Sequence, residues 1–191
     1  MGKIGVFNFV SVDGYFAGPN GEIDWFKELR PDDAFDRYTR ESSQSGGALM
    51  FGRTTYEMMK SYWPTEAAIK DDPRTAEVLN NSPKIVFSKT LKNEEDGPVW
   101  KDVRLFRDIR PDVILELKQG AGKGITILGS GSIVRQLTDL GLIEDYTLVQ
   151  VPIIIGSGLS MFKNAKRTNL VLMETRSFGN GAVLLRYQPA G

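Results

Sequence analysis

The chain has 191 residues, of which 41% are hydrophobic and 25% charged, and its 24 Lys and Arg equal its 24 Asp and Glu in number. This length and composition predict one soluble, cytoplasmic domain over residues 1–191. The zero net charge argues against nucleic-acid binding, and no apolar run approaches the ~18–20 residues that cross a membrane. Cys and His are absent, which excludes disulfides, thiolate nucleophiles, Ser-His-Asp triads and Cys/His metal sites, so we expect no metal.

The first part of the chain alternates predicted strands and helices. Residues 3–12, rich in Val, Ile and Phe, predict a buried strand. Gly18-Pro19-Asn20-Gly21 predicts a turn, and residues 31–44 predict a helix that places Phe35 and Tyr38 on one side. Later segments predict strands at 45–51, 84–87 and 103–106, helices at about 54–60, 73–81 and 111–119, a loop at 61–68 and a turn at 93–98.

Residues 124–158 predict a strand, a glycine turn, a helix and a second strand. The turn is Gly129-Ser130-Gly131-Ser132, between an apolar run at 125–128 and an amphipathic helix at about 133–140. This layout points backbone N–H groups at an anion. The second strand, at 146–155, contains Pro152, which predicts a bulge or a sheet edge there.

The C-terminal segments at 170–178 and 182–187 predict a hairpin around Gly179-Asn180-Gly181. Together, these elements predict one three-layer α/β domain. Its sheet would be mostly parallel with an antiparallel edge, and helices would cover both faces.

Three small polar turns follow three of the predicted strands. They are Gly52-Arg53-Thr54, Ser88-Lys89-Thr90 and the Gly129–Ser132 turn. Ligands in open α/β sheets bind beyond the carboxyl ends of strands, and cations beside hydroxyls suit phosphates. The turns therefore indicate a nucleotide cofactor with a 2′-phosphate, NADP in preference to NAD. Turn geometry alone is the competing explanation.

The glycine turn does not fit the common dinucleotide-binding motif. Gly129 and Gly131 supply its first two glycines, but Val134 occupies the third position. The nearby acids Glu144 and Asp145 precede the next strand, whereas a ribose-binding acid lies at the end of that strand. A different fold is therefore expected to hold the cofactor.

Several longer stretches carry a family resemblance. They are FNFVSVDGYFAGPNG (7–21), ALMFGRTTYE (48–57), KIVFSKTL (84–91), ITILGSGSIVRQLTDLGLIEDYTLVQVPIIIGSG (125–158) and the C-terminal hairpin. In this order they resemble the dihydrofolate-reductase-like family, in particular the reductase domain of the bifunctional riboflavin-biosynthesis deaminase–reductase. The resemblance implies a sheet of eight to nine strands, NADPH, hydride transfer and a homodimer.

The resemblance also implies which residues contact the cofactor. The cofactor phosphates would meet Gly52, Arg53 and Thr54, and the adenosine 2′-phosphate would meet Ser88, Lys89 and Thr90. The diphosphate would meet Gly129, Ser130, Gly131, Ser132 and Ile133, and the nicotinamide would lie beside Asp13 and Gly14.

Dihydrofolate reductases also keep one catalytic carboxylate on the first helix. Counting back from Gly52 without a gap places Asp36 at that position, while Asp32 and Asp33 replace it if the alignment slips. The competing interpretation is a solvated helix face beside Arg37. The riboflavin branch relies on phosphate contacts instead and can work without this carboxylate.

The carboxylate would need apolar walls, because burial makes a carboxyl group hold its proton more tightly. Trp25 and Tyr56, together with Phe26, are candidates for these walls and for contacts with the substrate.

Three functions remain open from the sequence. The first is an NADPH-dependent reductase of the 5-amino-6-(5-phosphoribosylamino)uracil type, which needs several cations for the ribose phosphate of its substrate. The second is a dihydrofolate or pteridine reductase, which needs the helix carboxylate. The third is a non-catalytic NADPH-binding sensor or interaction module.

Overall fold

The structure is a computed structural model that describes residues 1–43, 47–91 and 100–191. The strands are β1 (Ile4–Ser11), β2 (Tyr15–Ala17), β3 (Ala48–Gly52), β4 (Lys84–Phe87), β5 (Val103–Phe106), β6 (Ile125–Leu128), β7 (Asp145–Val151), β8 (Leu159–Ser160), β9 (Leu170–Ser177) and β10 (Val183–Pro189). The helices are α1 (Asp33–Ser43), α2 (Arg53–Tyr62), α3 (Glu66–Asp71), α4 (Pro73–Asn81), α5 (Pro111–Gly120) and α6 (Gly131–Asp139), with a 3₁₀ turn at Asp24–Glu28.

The main sheet has eight strands in the order β5-β4-β3-β6-β1-β7-β10-β9. From β5 to β7 every neighbouring pair is parallel, whereas β10 runs antiparallel to both β7 and β9. Strands β2 and β8 form a separate two-stranded sheet. The predicted class, a mostly parallel α/β sheet with a C-terminal antiparallel hairpin, is confirmed.

Helices cover both faces of this sheet, because successive strand residues point to opposite sides. On one face, Ile4 and Val6 of β1 are buried with Ile114 of α5 and Leu137 of α6. On the other face, α2 and α4 pack over β3 and β4, and Phe35 of α1 packs over β7 and β10. Helices on one face, the sheet, and helices on the other face form the three layers that the sequence predicted.

The structure corrects several predicted boundaries. Strand β7 ends at Val151, so Pro152 terminates the strand, and β7 is an interior strand between β1 and β10. The predicted loop at 61–68 contains the end of α2 and the start of α3, which is capped by the Thr65 hydroxyl. The sequence patterns also missed the short strands β2 and β8. Residues 44–46 at the predicted helix–strand junction and the predicted turn at 93–98 lie outside the described residues.

The outermost strand β9 is unusually open to solvent. All eight of its residues are exposed, including Leu172 and Met173, at 50% and 52%. Its outer edge pairs with no other strand among the described residues. In the part of the chain that the structure describes, β9 is therefore paired along one edge, where it meets β10.

Within the described residues, none of the helices has the length and apolar character needed to span a membrane.

Candidate functional site

The predicted ligand turns lie side by side at one edge of the sheet. Strands β4, β3, β6 and β1 are consecutive and parallel, so their carboxyl ends meet at the same edge. This order places the turn after Phe87 beside the start of α2, which follows Gly52 without an intervening turn. The turn after Leu128 and the loop after Ser11 come next. The insertion of β6 between β3 and β1 therefore creates one continuous row of candidate binding groups.

The starts of α2 and α6 are joined by hydrogen bonds. The Gly52 amide donates to Ser130 Oγ at 2.6 Å, and the Ser130 hydroxyl donates to Thr55 Oγ1 at 3.0 Å. Ser130 is buried and precedes α6 in a left-handed conformation, with φ 56° and ψ 60°. The first amides of a helix point away from its other residues, so this junction brings the amino-terminal ends of two helices together.

The glycine turn itself is held by Asn8. The Gly129 amide donates to Asn8 Oδ1 at 2.7 Å, and Asn8 Nδ2 lies 3.4 Å from the Gly129 carbonyl oxygen. Asn8 was not among the predicted site residues. The available signal was a single polar residue inside a buried apolar strand, since such a residue needs a specific partner.

Gly131 begins α6 in a crowded position. A Cβ atom there would lie 2.9 Å from Phe16 Cε1 and 3.3 Å from Met161 Cα. The neighbouring Ser132 is exposed, whereas Ile133 is buried in the apolar core. Gly131 is therefore required by the close approach of the segments that cover the start of this helix.

The Ser88-Lys89-Thr90 turn is internally bonded. Ser88 Oγ accepts hydrogen bonds from the Thr90 and Leu91 amides at 3.2 and 2.9 Å. Arg107 Nη1 donates to the carbonyl oxygens of Ser88 and Leu91 at 3.1 and 2.6 Å. These bonds fix the shape of the turn and bring a third cation, Arg107, next to it, which was not among the predicted site residues.

Arg53 connects this turn to the start of α2. Its Nη1 donates to Thr90 Oγ1 at 2.8 Å, and its Nε donates to Glu57 at 2.8 Å. Lys89 lies 3.3 Å from Asp108, and its side chain is 80% exposed. Thr54 is also exposed. This region therefore presents two exposed cations next to hydroxyl groups.

Asp13 and Gly14 form the loop after β1. The Asp13 carboxylate accepts from the Gly156 amide at 2.8 Å and the Ile155 amide at 3.3 Å. Its pKa is lowered, first by a hydrogen bond with Ser11 and then by these amides. Gly14 has φ +84°, a conformation that favours glycine. The carboxylate thus ties the loop after β1 to the segment that follows β7.

Asp36 lies in the first turn of α1 and faces a polar cleft. The cleft encloses about 590 Å³ and is lined by Asp36, Thr39, Arg40, Asp71, Asp72, Pro73 and Arg74. Arg40 Nε also donates to the Asp36 backbone oxygen at 2.9 Å. The walls of this cleft are charged, in contrast to the apolar pocket that a dihydrofolate-type carboxylate needs.

The two aromatic residues that were predicted to enclose the carboxylate, Trp25 and Tyr56, pack in other parts of the structure. Trp25 is 7% exposed and meets Phe26 edge-on, with ring centroids 5.6 Å apart. Tyr56 is 1% exposed and stacks with Trp100 at 5.9 Å. Neither side chain lines the cleft at Asp36. Their contact with a substrate stays a prediction.

Residues 3–184 match the family model of the RibD C-terminal domain. The chain belongs to this family. Two relatives from Bacillus subtilis (strain 168) match over 179 residues and 93% of the chain. The uncharacterized protein YyaP is 26% identical with 90% of its length covered, and the uncharacterized protein YwjB is 28% identical with 92% covered.

Solved structures of similar proteins share the fold. A putative riboflavin biosynthesis protein from Shewanella sp. PV-4 matches with a TM-score of 0.77 and 20% identity, over 99% of each chain. A pyrimidine reductase-like protein from Corynebacterium diphtheriae matches at 0.65 and 16%, over 100% of this chain and 92% of its own. A diaminohydroxyphosphoribosylaminopyrimidine deaminase/5-amino-6-(5-phosphoribosylamino)uracil reductase from Thermotoga maritima matches at 0.67 and 14%, over 99% of this chain and 57% of its own.

Proposed function

We propose that this protein is an NADPH-dependent reductase that transfers hydride to a pyrimidine substrate of the 5-amino-6-(5-phosphoribosylamino)uracil type. The observation that carries the proposal is the row of four candidate binding segments at one sheet edge, in a chain of the RibD C-terminal domain family. The Thermotoga protein, which shares the fold, is named for this reductase activity.

The residues at this edge fit a phosphorylated dinucleotide. The joined starts of α2 and α6 offer backbone amides to a diphosphate, at the positive ends of both helix dipoles. Arg53 and Lys89 supply positive charge beside Thr90, which suits the 2′-phosphate of NADPH. When bound, NADPH supplies a hydride from C4 of its nicotinamide ring.

The protein's own part in this reaction is binding and orientation. The α2 and α6 amides would hold the diphosphate, and the loop at Asp13 and Gly14 would border the nicotinamide. Reduction of the ring-opened ribosylamine adds hydride to the carbon of its C=N bond and a proton to the nitrogen. Asp36 or a water molecule would supply that proton.

The lining of the cleft at Asp36 argues against a pterin. Arg40 and Arg74 line it together with the carboxylates, so its walls are charged. A pterin site needs one carboxylate among apolar groups, whereas this cleft contains two further carboxylates, Asp71 and Asp72. Dihydrofolate reduction is the second candidate, because Asp36 does lie on the first helix as that chemistry requires.

We also propose that the protein is a homodimer, and β9 is the surface that supports this. Its outer edge is unpaired within the described residues, and it exposes Leu172 and Met173 on its two faces. An antiparallel pair of identical edge strands is self-complementary, which suits a two-fold dimer.

Cofactor binding and turnover test the function separately. Titration with NADPH and then NADH, followed by quenching of the Trp fluorescence, is expected to show tighter binding of NADPH. Oxidation of NADPH is then followed with the riboflavin-pathway pyrimidine and with dihydrofolate. Turnover with the pyrimidine alone supports the proposal, and turnover with dihydrofolate alone supports the second candidate. Binding without turnover on either substrate indicates a non-catalytic NADPH-binding protein.

A further inference from the structure

We propose that Asn8 is a positioning residue that holds the glycine turn ready for the cofactor diphosphate, with Ser130 joining that turn to α2. The inference rests on the proposed function, because it takes the diphosphate as the ligand of this turn. It concerns two side chains that act through the backbone of other residues.

The Asn8 side chain takes the place of a backbone hydrogen-bond partner for Gly129, which lies just beyond the end of β6. In the register of β1 and β6, Phe7 is opposite Leu128, so Asn8 is level with Gly129. There the ladder stops, and the side-chain amide of Asn8 takes over by accepting from the Gly129 amide and donating to its carbonyl oxygen. The chain can therefore leave the sheet at Gly129 without losing its backbone partners.

Asn8 is a polar residue at a position where packing alone would favour an apolar one. It is 7% exposed and lies on the β1 face that buries Ile4, Val6 and Val10. A buried amide without partners is costly, so an apolar residue would suit this face better if packing alone mattered. Its remaining contact is with Met161 Sδ, at 3.7 Å.

The conformation that Asn8 supports is one that the chain does not favour by itself. Gly129 and Ser130 are consecutive left-handed residues, with φ 59° and 56°. This conformation is unfavourable for a serine and depends on surrounding contacts. Asn8 fixes Gly129, while Ser130 Oγ accepts from Gly52 and donates to Thr55. The result is that α6 and α2 begin at a fixed separation before any ligand binds.

Preorganised donors bind an anion more tightly than donors that must first be ordered. Loss of Asn8 should therefore weaken the diphosphate contact and leave the 2′-phosphate contact at Arg53 and Lys89 unchanged. The two cofactors NADPH and NADH differ only in that 2′-phosphate. Their affinities should consequently fall by the same factor.

The test is the dissociation constant of NADPH and of NADH for Asn8→Ala, with Val6→Ala as the matched control. Val6 is 2% exposed on the same face of β1, and its side chain has no polar atom that could hydrogen-bond to the turn. We expect Asn8→Ala to raise both dissociation constants about tenfold. Val6→Ala should lower stability, and as long as the variant remains folded in the assay both constants should stay at the wild-type values.

Ser130→Gly separates positioning from stability. Glycine adopts the left-handed conformation freely, which offsets the lost Gly52 hydrogen bond, so the unfolding midpoint should stay close to that of the wild type. Both dissociation constants should nevertheless rise several-fold.

Equal constants in Asn8→Ala and Val6→Ala would overturn the inference and leave the reductase intact. A loss confined to NADPH would also overturn it, by assigning Asn8 to the 2′-phosphate. Equal losses for both cofactors, in a protein that reduces no pyrimidine or pterin, would support the inference and remove the reductase function. Absence of cofactor binding by the wild type would overturn both.

Discussion

Arg53 Nη1 lies 2.8 Å from Thr90 Oγ1, so the start of α2 and the turn after β4 share one hydrogen bond. These residues are 37 positions apart in the chain. The contact sets the exposed Arg53 guanidinium against the turn that also carries Lys89. It makes Arg53 the residue whose loss should distinguish NADPH from NADH.

Arg53→Ala should weaken NADPH about 10- to 100-fold and NADH much less, because a charged hydrogen bond to the 2′-phosphate is lost. Fluorescence titration of both cofactors measures this. Lys3→Ala is the charge-matched control, since Lys3 is exposed just before β1 at the opposite sheet edge. An equal loss for both cofactors would contradict the 2′-phosphate assignment.

Asp36→Asn should lower kcat about 100-fold or more if this carboxyl donates the proton, with little change in the dissociation constant of NADPH. Steady-state kinetics with the pyrimidine measure the effect. Asp33→Asn is the control, because Asp33 is exposed in the same helical turn and lies outside the cleft. Full activity in Asp36→Asn would assign the proton to water and remove Asp36 from catalysis.

Gly131→Ala should destabilise the protein by about 1–3 kcal/mol, since its Cβ would lie 2.9 Å from Phe16 Cε1 and 3.3 Å from the Met161 backbone. Urea unfolding measures the loss. Gly120→Ala is the control, because no heavy atom lies within 4 Å of a Cβ there, and we expect little loss. The double change Gly131→Ala with Phe16→Leu should recover part of the stability. If Gly131→Ala keeps the stability of the wild type, Phe16 and Met161 can move aside at little cost, which contradicts the prediction.

Lys84 predicts a pH-dependent stability. It is fully buried at the start of β4, donates to the Asn80 and Lys101 carbonyl oxygens, and lies 4.8 Å from the centre of the Trp100 ring. Burial lowers its pKa from 10.5 to about 8, against a smaller opposing effect of Asp102. The unfolded chain therefore holds this proton more tightly, so the contribution of Lys84 to stability rises from about pH 8 to pH 10.5.

Comparison with Lys84→Met isolates this effect, because both proteins share every other titrating group. The difference between the free energies of unfolding, wild type minus Lys84→Met, should increase by on the order of 1–3 kcal/mol as the pH rises across this interval. Urea unfolding at several pH values measures the difference. A constant difference would mean that Lys84 keeps an ordinary proton affinity in the folded protein.

Leu172→Lys should convert the proposed dimer into a monomer, since it places a charge on the unpaired edge strand β9. Light scattering after size-exclusion chromatography measures the mass. Leu115→Lys is the control, because Leu115 is 41% exposed on α5, away from that edge. A dimer that persists in Leu172→Lys would place the interface elsewhere, and a monomeric wild type would contradict the dimer itself.

Local signals predicted most of the elements correctly. Strand β4 has the predicted bounds, and the hairpin at Asn180 and the helix start at Pro73 lie where their turn and capping residues indicate. The failures occur where long-range pairing decides. Strand β8 has two residues, which carry no periodicity and form a strand only by pairing with β2. The interior place of β7 depends likewise on its partners β1 and β10.

The sequence by itself determined the chemistry of each ligand turn, because turn residues, helix starts and strand periodicity depend on near neighbours along the chain. It showed the cations at Arg53 and Lys89 and the glycines of the turn before α6. Only the tertiary structure decided that β6 lies between β3 and β1, so that Asn8 meets Gly129 and Ser130 meets Gly52. Strand order depends on how all strands and helices bury their apolar faces together, and local sequence patterns do not contain this long-range information.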